Sequence, residues 1–199
     1  MKKLIAILSI SLFVFSCGET ETKEKDSKNN SKEVKETAPD YIQIGMDVTN
    51  TAQSTLLKHV GQAMKMGGPN AAIQYCNINA LSITDSLSEA NHVKISRVTE
   101  KNRNEKNVLA QEDLSIWEYY KTGAINVQMP DTLVDFNGKK VFYRPIYIAN
   151  PTCLNCHGQQ GTDIMDVTVA KLDELYPNDK ARDYNMGELR GMWKLEFEK

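Results

Sequence analysis

Cys153-Leu154-Asn155-Cys156-His157 has the Cys-x-x-Cys-His spacing that attaches a c-type haem. Two thiols add across the haem vinyl groups to form thioethers, and the histidine that follows lies under the iron as a proximal nitrogen ligand. The two variable residues let the segment coil so that both sulfurs reach one porphyrin edge. Five residues alone also suit zinc or thiol–disulfide exchange, so those readings stay open here.

The N-terminus bears on that choice. Lys2 and Lys3 precede a short apolar run from Leu4 to Phe15, too short for an ordinary membrane span and fitting a secretory leader. The run ends Val14-Phe15-Ser16-Cys17-Gly18, a loose lipobox. Residues 1–16 are therefore expected to be a lipoprotein signal peptide. Cys17 is then the lipidated first residue, anchoring the chain to a membrane without spanning it. Ordinary cleavage near Ser16 is the alternative. Haem c is attached after export, so an exported chain is in the right compartment, the periplasmic face of a bacterial membrane. Gly18 in place of aspartate gives no inner-membrane retention signal and favours the outer membrane.

The chain has 4 cysteines. Lipid takes one and haem two, which leaves Cys76. An unpaired thiol in an exported chain needs an account. It is either a small buried hydrophobe or an axial iron ligand opposite His157. Rival distal ligands are His59, His92, Met64, Met66, Met129, Met165 and Met186. The histidines also suit surface or capping positions, and the methionines suit core filling. An open distal site is the remaining option.

The elements that must position these groups follow from length and pattern. Of 199 residues, 17–39 are nearly devoid of apolar side chains and read as a flexible tether. Residues 40–199 suffice for one compact domain. The formal net charge is −2, more negative once Lys2 and Lys3 are removed, and no basic patch points to nucleic acid. Asp40 with Gln43 predicts a capping box opening a helix to about Met66. Val48, Ala52, Leu56 and Val60 lie on one face of it. Gly67-Gly68 should stop that helix, and Pro69 suits the first turn of a second one to about Glu89. Ala72, Cys76, Ala80, Ile83 and Leu87 form the apolar stripe of that second helix.

Strand alternation follows at Val93, Ile95 and Arg97. A polar loop spans 99–107, and a short helix runs through Leu114, Trp117 and Tyr120. Thr132 to Phe136, Asn137-Gly138 and Lys139 to Ile148 form the clearest hairpin. Pro145 predicts an edge or a bulge there. A helix from Val167 to Leu175 and a strand from Met192 to Glu198 close the chain. Helices first and a mostly antiparallel sheet later predict an α+β fold.

Several of these segments form an ordered set. They are Ala71 to Cys76, Lys101-Asn102-Arg103-Asn104 with Asn107, Trp117-Glu118, and Tyr143-Arg144-Pro145-Ile146. Cys153 to Gly158, Tyr176-Pro177 with Asp179, and Gly187 to Gly191 complete it. The set resembles a family of bacterial c-haem domains with a PAS-like fold, long catalogued as a domain of unknown function, over essentially all of 40–199. Glu105 and Asp183-Tyr184-Asn185 depart from the family's usual proline and Gly-Tyr. The resemblance implies five antiparallel strands flanked by helices, one covalent haem c, His157 as proximal ligand and Cys76 as distal ligand. Arg97, Arg103 and Arg144 are candidates to fork onto haem propionates, or are solvated charges. Tyr143, Tyr147 and Trp117 are candidates to pack on the macrocycle, or are plain core.

The expected role is a membrane-anchored redox or small-ligand sensor working with a separate signalling or redox protein, with homodimerisation possible. A one-electron carrier is the alternative. A peroxidase-type enzyme would need an open iron site and a distal acid–base pair, and no such constellation is seen in the sequence.

Overall fold

The computed structural model describes residues 39–123 and 129–198. The leader, Cys17 and the tether lie outside the described residues. The chain opens with α1 (Tyr41–Asn91), followed by β1 (Val93–Val98), α2 (Leu114–Lys121), β2 (Thr132–Phe136) and β3 (Lys139–Tyr147). The helices α3 (Pro151–His157) and α4 (Asp166–Leu175) and the strand β4 (Leu189–Phe197) complete it. The α+β expectation holds. Among the described residues the sheet has four antiparallel strands in the order β1-β4-β3-β2, one fewer than the resemblance implied.

Asp40 caps α1 by accepting from the Gln43 N–H at 3.0 Å. The reciprocal half of the capping box is missing, because the Gln43 amide donates to Asp47 instead. Gly67 and Gly68 leave helical geometry, so α1 is two helices joined at a corner. Gly68 has φ +67° and ψ −160°, a conformation essentially reserved for glycine. His59 before the corner stacks on Tyr75 after it, ring centroids 5.4 Å apart. That contact shows the two halves folding back toward each other. His92 ends the second half as its left-handed cap, φ 51°, which accounts for this histidine structurally.

Each face of the sheet buries its own core. On one face Val93, Ile95, Phe142, Trp193, Leu195 and Phe197 pack against Val48 and Ala52 of α1. On the other, Val98, Val141, Tyr143 and Met192 pack against Trp117 and Tyr120 of α2. The alternation read at β1 therefore sorts its residues correctly, and β4 alternates in the same way, with Trp193, Leu195 and Phe197 on one face and Met192 on the other.

Pro145 was expected on an edge, yet β3 lies between β4 and β2. The physical reason is local. β2 reaches β3 only as far as the Thr132–Tyr143 pair, so beyond Tyr143 that side of β3 has no strand partner. The Tyr143 carbonyl there accepts from the Tyr120 hydroxyl at 3.0 Å. Pro145, two residues on, turns its missing donor to the same side. The expected irregularity sits just beyond it, between Ile146 and Tyr147.

Gly45 lets α1 approach the sheet: a Cβ there would lie 2.4 Å from the Phe142 ring. Gly45→Val is expected to cost about 1–3 kcal/mol through overpacking, read as a lowered urea midpoint with unchanged slope.

Candidate functional site

Asn150 opens α3 by accepting from the Thr152 N–H at 2.9 Å, with Pro151 in the first turn. On this short helix Cys153 and Cys156 lie three residues apart and so on neighbouring positions of one face. Both are half-buried free thiols, as is Cys76. Cys153 packs with Ile148, Ala181 and Tyr184. Cys156 packs with Ile73 of α1 and with Leu172 and Tyr176. The second half of α1 is tied to α4 by two asparagines seven residues apart. Asn70 donates to the Val167 carbonyl and Asn77 to the Leu175 carbonyl. These ties hold the stretch of α1 that carries Cys76 against α4.

The helix end is held by the 179–184 loop. Tyr184 N–H donates to the His157 carbonyl at 3.0 Å and Asp183 N–H to the Gly158 carbonyl at 2.9 Å. Arg103 brackets both segments. Its Nη2 donates to the Cys156 carbonyl at 2.6 Å and to the Ala181 carbonyl at 3.2 Å, while its Nε pairs with Asp179 at 3.1 Å. Burial opposes ionisation of Asp179, but Arg103 and the surrounding hydrogen bonds win and hold its carboxyl below the ordinary value.

His157 is oriented by its Nδ1, 2.9 Å from the Ala181 carbonyl. Arg190 Nε also approaches Nδ1, at 3.3 Å. A carbonyl can only accept, so the shorter contact puts the proton on Nδ1. The Arg190 approach is then electrostatic crowding, not a hydrogen bond. Nε2 keeps its lone pair. Burial, then Arg190 and Arg103, push His157 well below its usual pKa against the opposing Ala181 contact, so the ring is neutral, the form that binds metals.

Cys76 faces the same charges. Burial raises its thiol, while Arg97 and Arg103 oppose the shift. Cys156 is likewise raised by burial, to about 11, with Arg103 opposing. Arg97 stacks on Trp193, 5.5 Å from the ring. Among the described residues its guanidinium makes no hydrogen bond or ion pair. A groove of about 590 Å³ between the second half of α1 and β1 is lined by Thr84, Ser88, Ile95 and Arg97.

Arg103 thus acts electrostatically on Cys76, Cys156 and His157, and Arg97 on Cys76 and His157. Three expected members of this group are elsewhere. Arg144 pairs with Asp131 at 2.5 Å and donates to Thr49 and Asn50 at 2.9 and 2.7 Å, on the first half of α1. Tyr143 is fully buried on the opposite sheet face, donating to Asp113 at 2.7 Å. Trp117 also belongs to that face. Arg190 was not foreseen as a site residue. Burial lowers its guanidinium to about 10, with Tyr184 opposing. The available signal was a cation inside the apolar run Leu189-Arg190-Gly191-Met192-Trp193. The rival ligands stand apart: Met66 and Met165 are largely exposed and Met129 packs on the face of Tyr143.

The donor set is two thiols able to add to activated double bonds, one free imidazole nitrogen, a further thiol, and cations suited to carboxylates. Among the described residues no three His, Cys, Asp or Glu side chains gather to hold a bare metal ion.

The sequence profile of the Tll0287-like family matches residues 21–197. The chain belongs to the Tll0287-like family. A solved structure, described as that of the cyanobacterial heme-protein Tll0287, superposes with a TM-score of 0.60 at 20% identity. The match covers 81% of this chain and 98% of that one. At that identity the likeness shows a shared α+β fold. No curated protein matches the chain.

Proposed function

We propose that this Tll0287-like chain is a c-type haem protein, lipid-anchored through Cys17 on the periplasmic face of a bacterial membrane, and works there as a redox or small-ligand sensor. The observation that carries the reading is the approach of the Cys153–His157 helix, Cys76 and Arg97, whose guanidinium has no carboxylate partner among the described residues. The haem-protein identity of the structurally similar Tll0287 supports it, as does the Cys-x-x-Cys-His spacing. We read the sheet and its covering helices as PAS-like.

The residues fit the group. Cys153 and Cys156 would hold it through thioethers. His157 would bind through Nε2, the nitrogen left free when Nδ1 meets Ala181, an arrangement that fixes both tautomer and ring direction. Arg97 stacks on Trp193 but has no carboxylate partner among the described residues, so it is the cation best placed to receive a propionate. Arg103 is already committed to Asp179 and two carbonyls, so we assign it to holding the ligand loop. Cys76 is the distal candidate. Bound haem would supply one-electron chemistry and a site for small ligands.

A thiolate ligand favours ferric iron and lowers the potential. With haem bound, Cys76 would supply the thiolate that favours the ferric state, and its loss as a ligand on one-electron reduction would be the switch we assign. The experiment is a spectroelectrochemical titration of wild type and Cys76→Ser, from a host that matures c-type cytochromes. The wild type should give a low-spin thiolate spectrum and bind carbon monoxide when reduced. Cys76→Ser should lose the thiolate features and titrate at higher potential. An unchanged potential would remove Cys76 from the iron. Ligation that persists through reduction, with fast electron exchange, would favour a carrier.

A further inference from the structure

A second cavity, of about 380 Å³, lies on the α2 side of the sheet and is walled by Trp117, Tyr120, Tyr147, Tyr184 and Leu189. Trp117 is only 3% exposed, yet its indole N–H has no partner among the described residues. Buried indole donors ordinarily find an acceptor. The other tryptophan does so: Trp193 Nε1 donates to Gln53 at 3.0 Å.

The charged residues lining it are Glu100, Lys101, Lys121 and Glu188. Lys121 pairs with Glu100 at 3.3 Å and with Glu118 at 3.6 Å. Lys101 donates to the Arg182 carbonyl and lies over the Tyr184 ring, 4.3 Å from its centroid. Glu188 accepts from the Asn185 backbone and side-chain amides at 3.1 and 3.0 Å, so two lysines and two glutamates leave the lining with no net charge to select an ion. Four aromatic walls favour a flat ring, and the orphan donor requires an acceptor.

We propose that this cavity is a binding site for a neutral, ring-bearing carbonyl compound whose oxygen accepts from Trp117 Nε1. The site is separate from the cluster around Cys76, but the two share a residue. The Tyr184 ring that walls the cavity meets His157 edge-on, centroids 6.3 Å apart at 88°. Occupancy is therefore felt at the His157 ring. This coupling concerns the histidine whatever it ligates.

The test uses the full-length ¹⁵N-labelled protein with the prosthetic group it carries, titrated with 1-tetralone, a bicyclic ketone without redox chemistry at the protein. Two indole N–H resonances serve as probe and internal reference. The Trp117 signal should move saturably downfield while the Trp193 signal stays fixed. Trp117→Phe keeps an aromatic side chain, though a smaller one, and removes the donor, so it should weaken calorimetric binding at least tenfold. The Trp193 resonance reports whether that variant is folded. The proposal is overturned if Trp117 does not shift up to millimolar ketone, which leaves only water on the donor. It is equally overturned if both indoles drift together, or if folded Trp117→Phe binds as wild type does.

Discussion

A chain carrying Cys153→Ser and Cys156→Ser should leave a maturation-competent host with no haem that survives denaturing acid–solvent extraction. The expected loss is essentially complete, because the only covalent links proposed are those two sulfurs. Each single variant should retain one thioether and a shifted haemochrome band. His157→Ala should do the opposite, keeping the covalent haem while losing the low-spin spectrum. The haemochrome spectrum of the extracted protein distinguishes these cases. Extractable haem of normal spectrum from wild type would instead show non-covalent binding, and the thiols of α3 would then need another account.

The second large effect lies on the far face of the sheet. Asp113→Ala is expected to destabilise the domain by about 3–5 kcal/mol. Asp113 and Lys194 side chains are 0% and 6% exposed and 2.8 Å apart. Asp113 also accepts from the Tyr143 hydroxyl. Removing the carboxylate takes away the fully buried partner of this ammonium and leaves it Glu112, itself mostly exposed, and a looser approach to Glu196 at 4.0 Å. Tyr143→Phe leaves the pair intact and removes one hydrogen bond, so about 1–3 kcal/mol is expected. Against a typical total of roughly 5–15 kcal/mol, the first change threatens folding and the second does not. Urea melts of both variants check the ordering. Neither change should alter a cofactor spectrum directly, since Tyr143 faces away from the Cys76 cluster.

Tyr143 also marks what the sequence could not convey. Alternation placed Val141 and Tyr143 on one side of β3 and Phe142 on the other, and the structure agrees. Alternation cannot say which side meets which helix. Tyr143 and Arg144 occur in one motif segment, yet they point to different faces, and neither joins the cluster. Both faces of β3 are buried, so hydrophobicity gave no further hint. The corner at Gly67-Gly68 and the turn at Asn137-Gly138 were legible because their backbone requirements are local. Asn137 and Gly138 do take positive φ, 54° and 85°. The Arg103 bracket was not legible. It depends on carbonyls at 156 and 181, brought together only by the loop that follows α4. Nor could spacing separate Arg97, which has no carboxylate partner among the described residues, from Arg144, which is paired with Asp131.

The corner in α1 has a consequence for how this site tolerates change in length. In an unbroken helix, the run from Val48 to Cys76 would carry the thiol roughly 40 Å along a straight axis. It would also lock the two buried stripes into one rotational phase. The non-helical pair at Gly67-Gly68 resets both travel and phase. Cys76 is therefore clocked from the corner and not from the start of the chain. One residue inserted between Gln74 and Tyr75 swings the thiol by about 100° away from the Ala72–Ile73 side. One inserted at the corner leaves the phase between Ala72, Ile73 and Cys76 untouched.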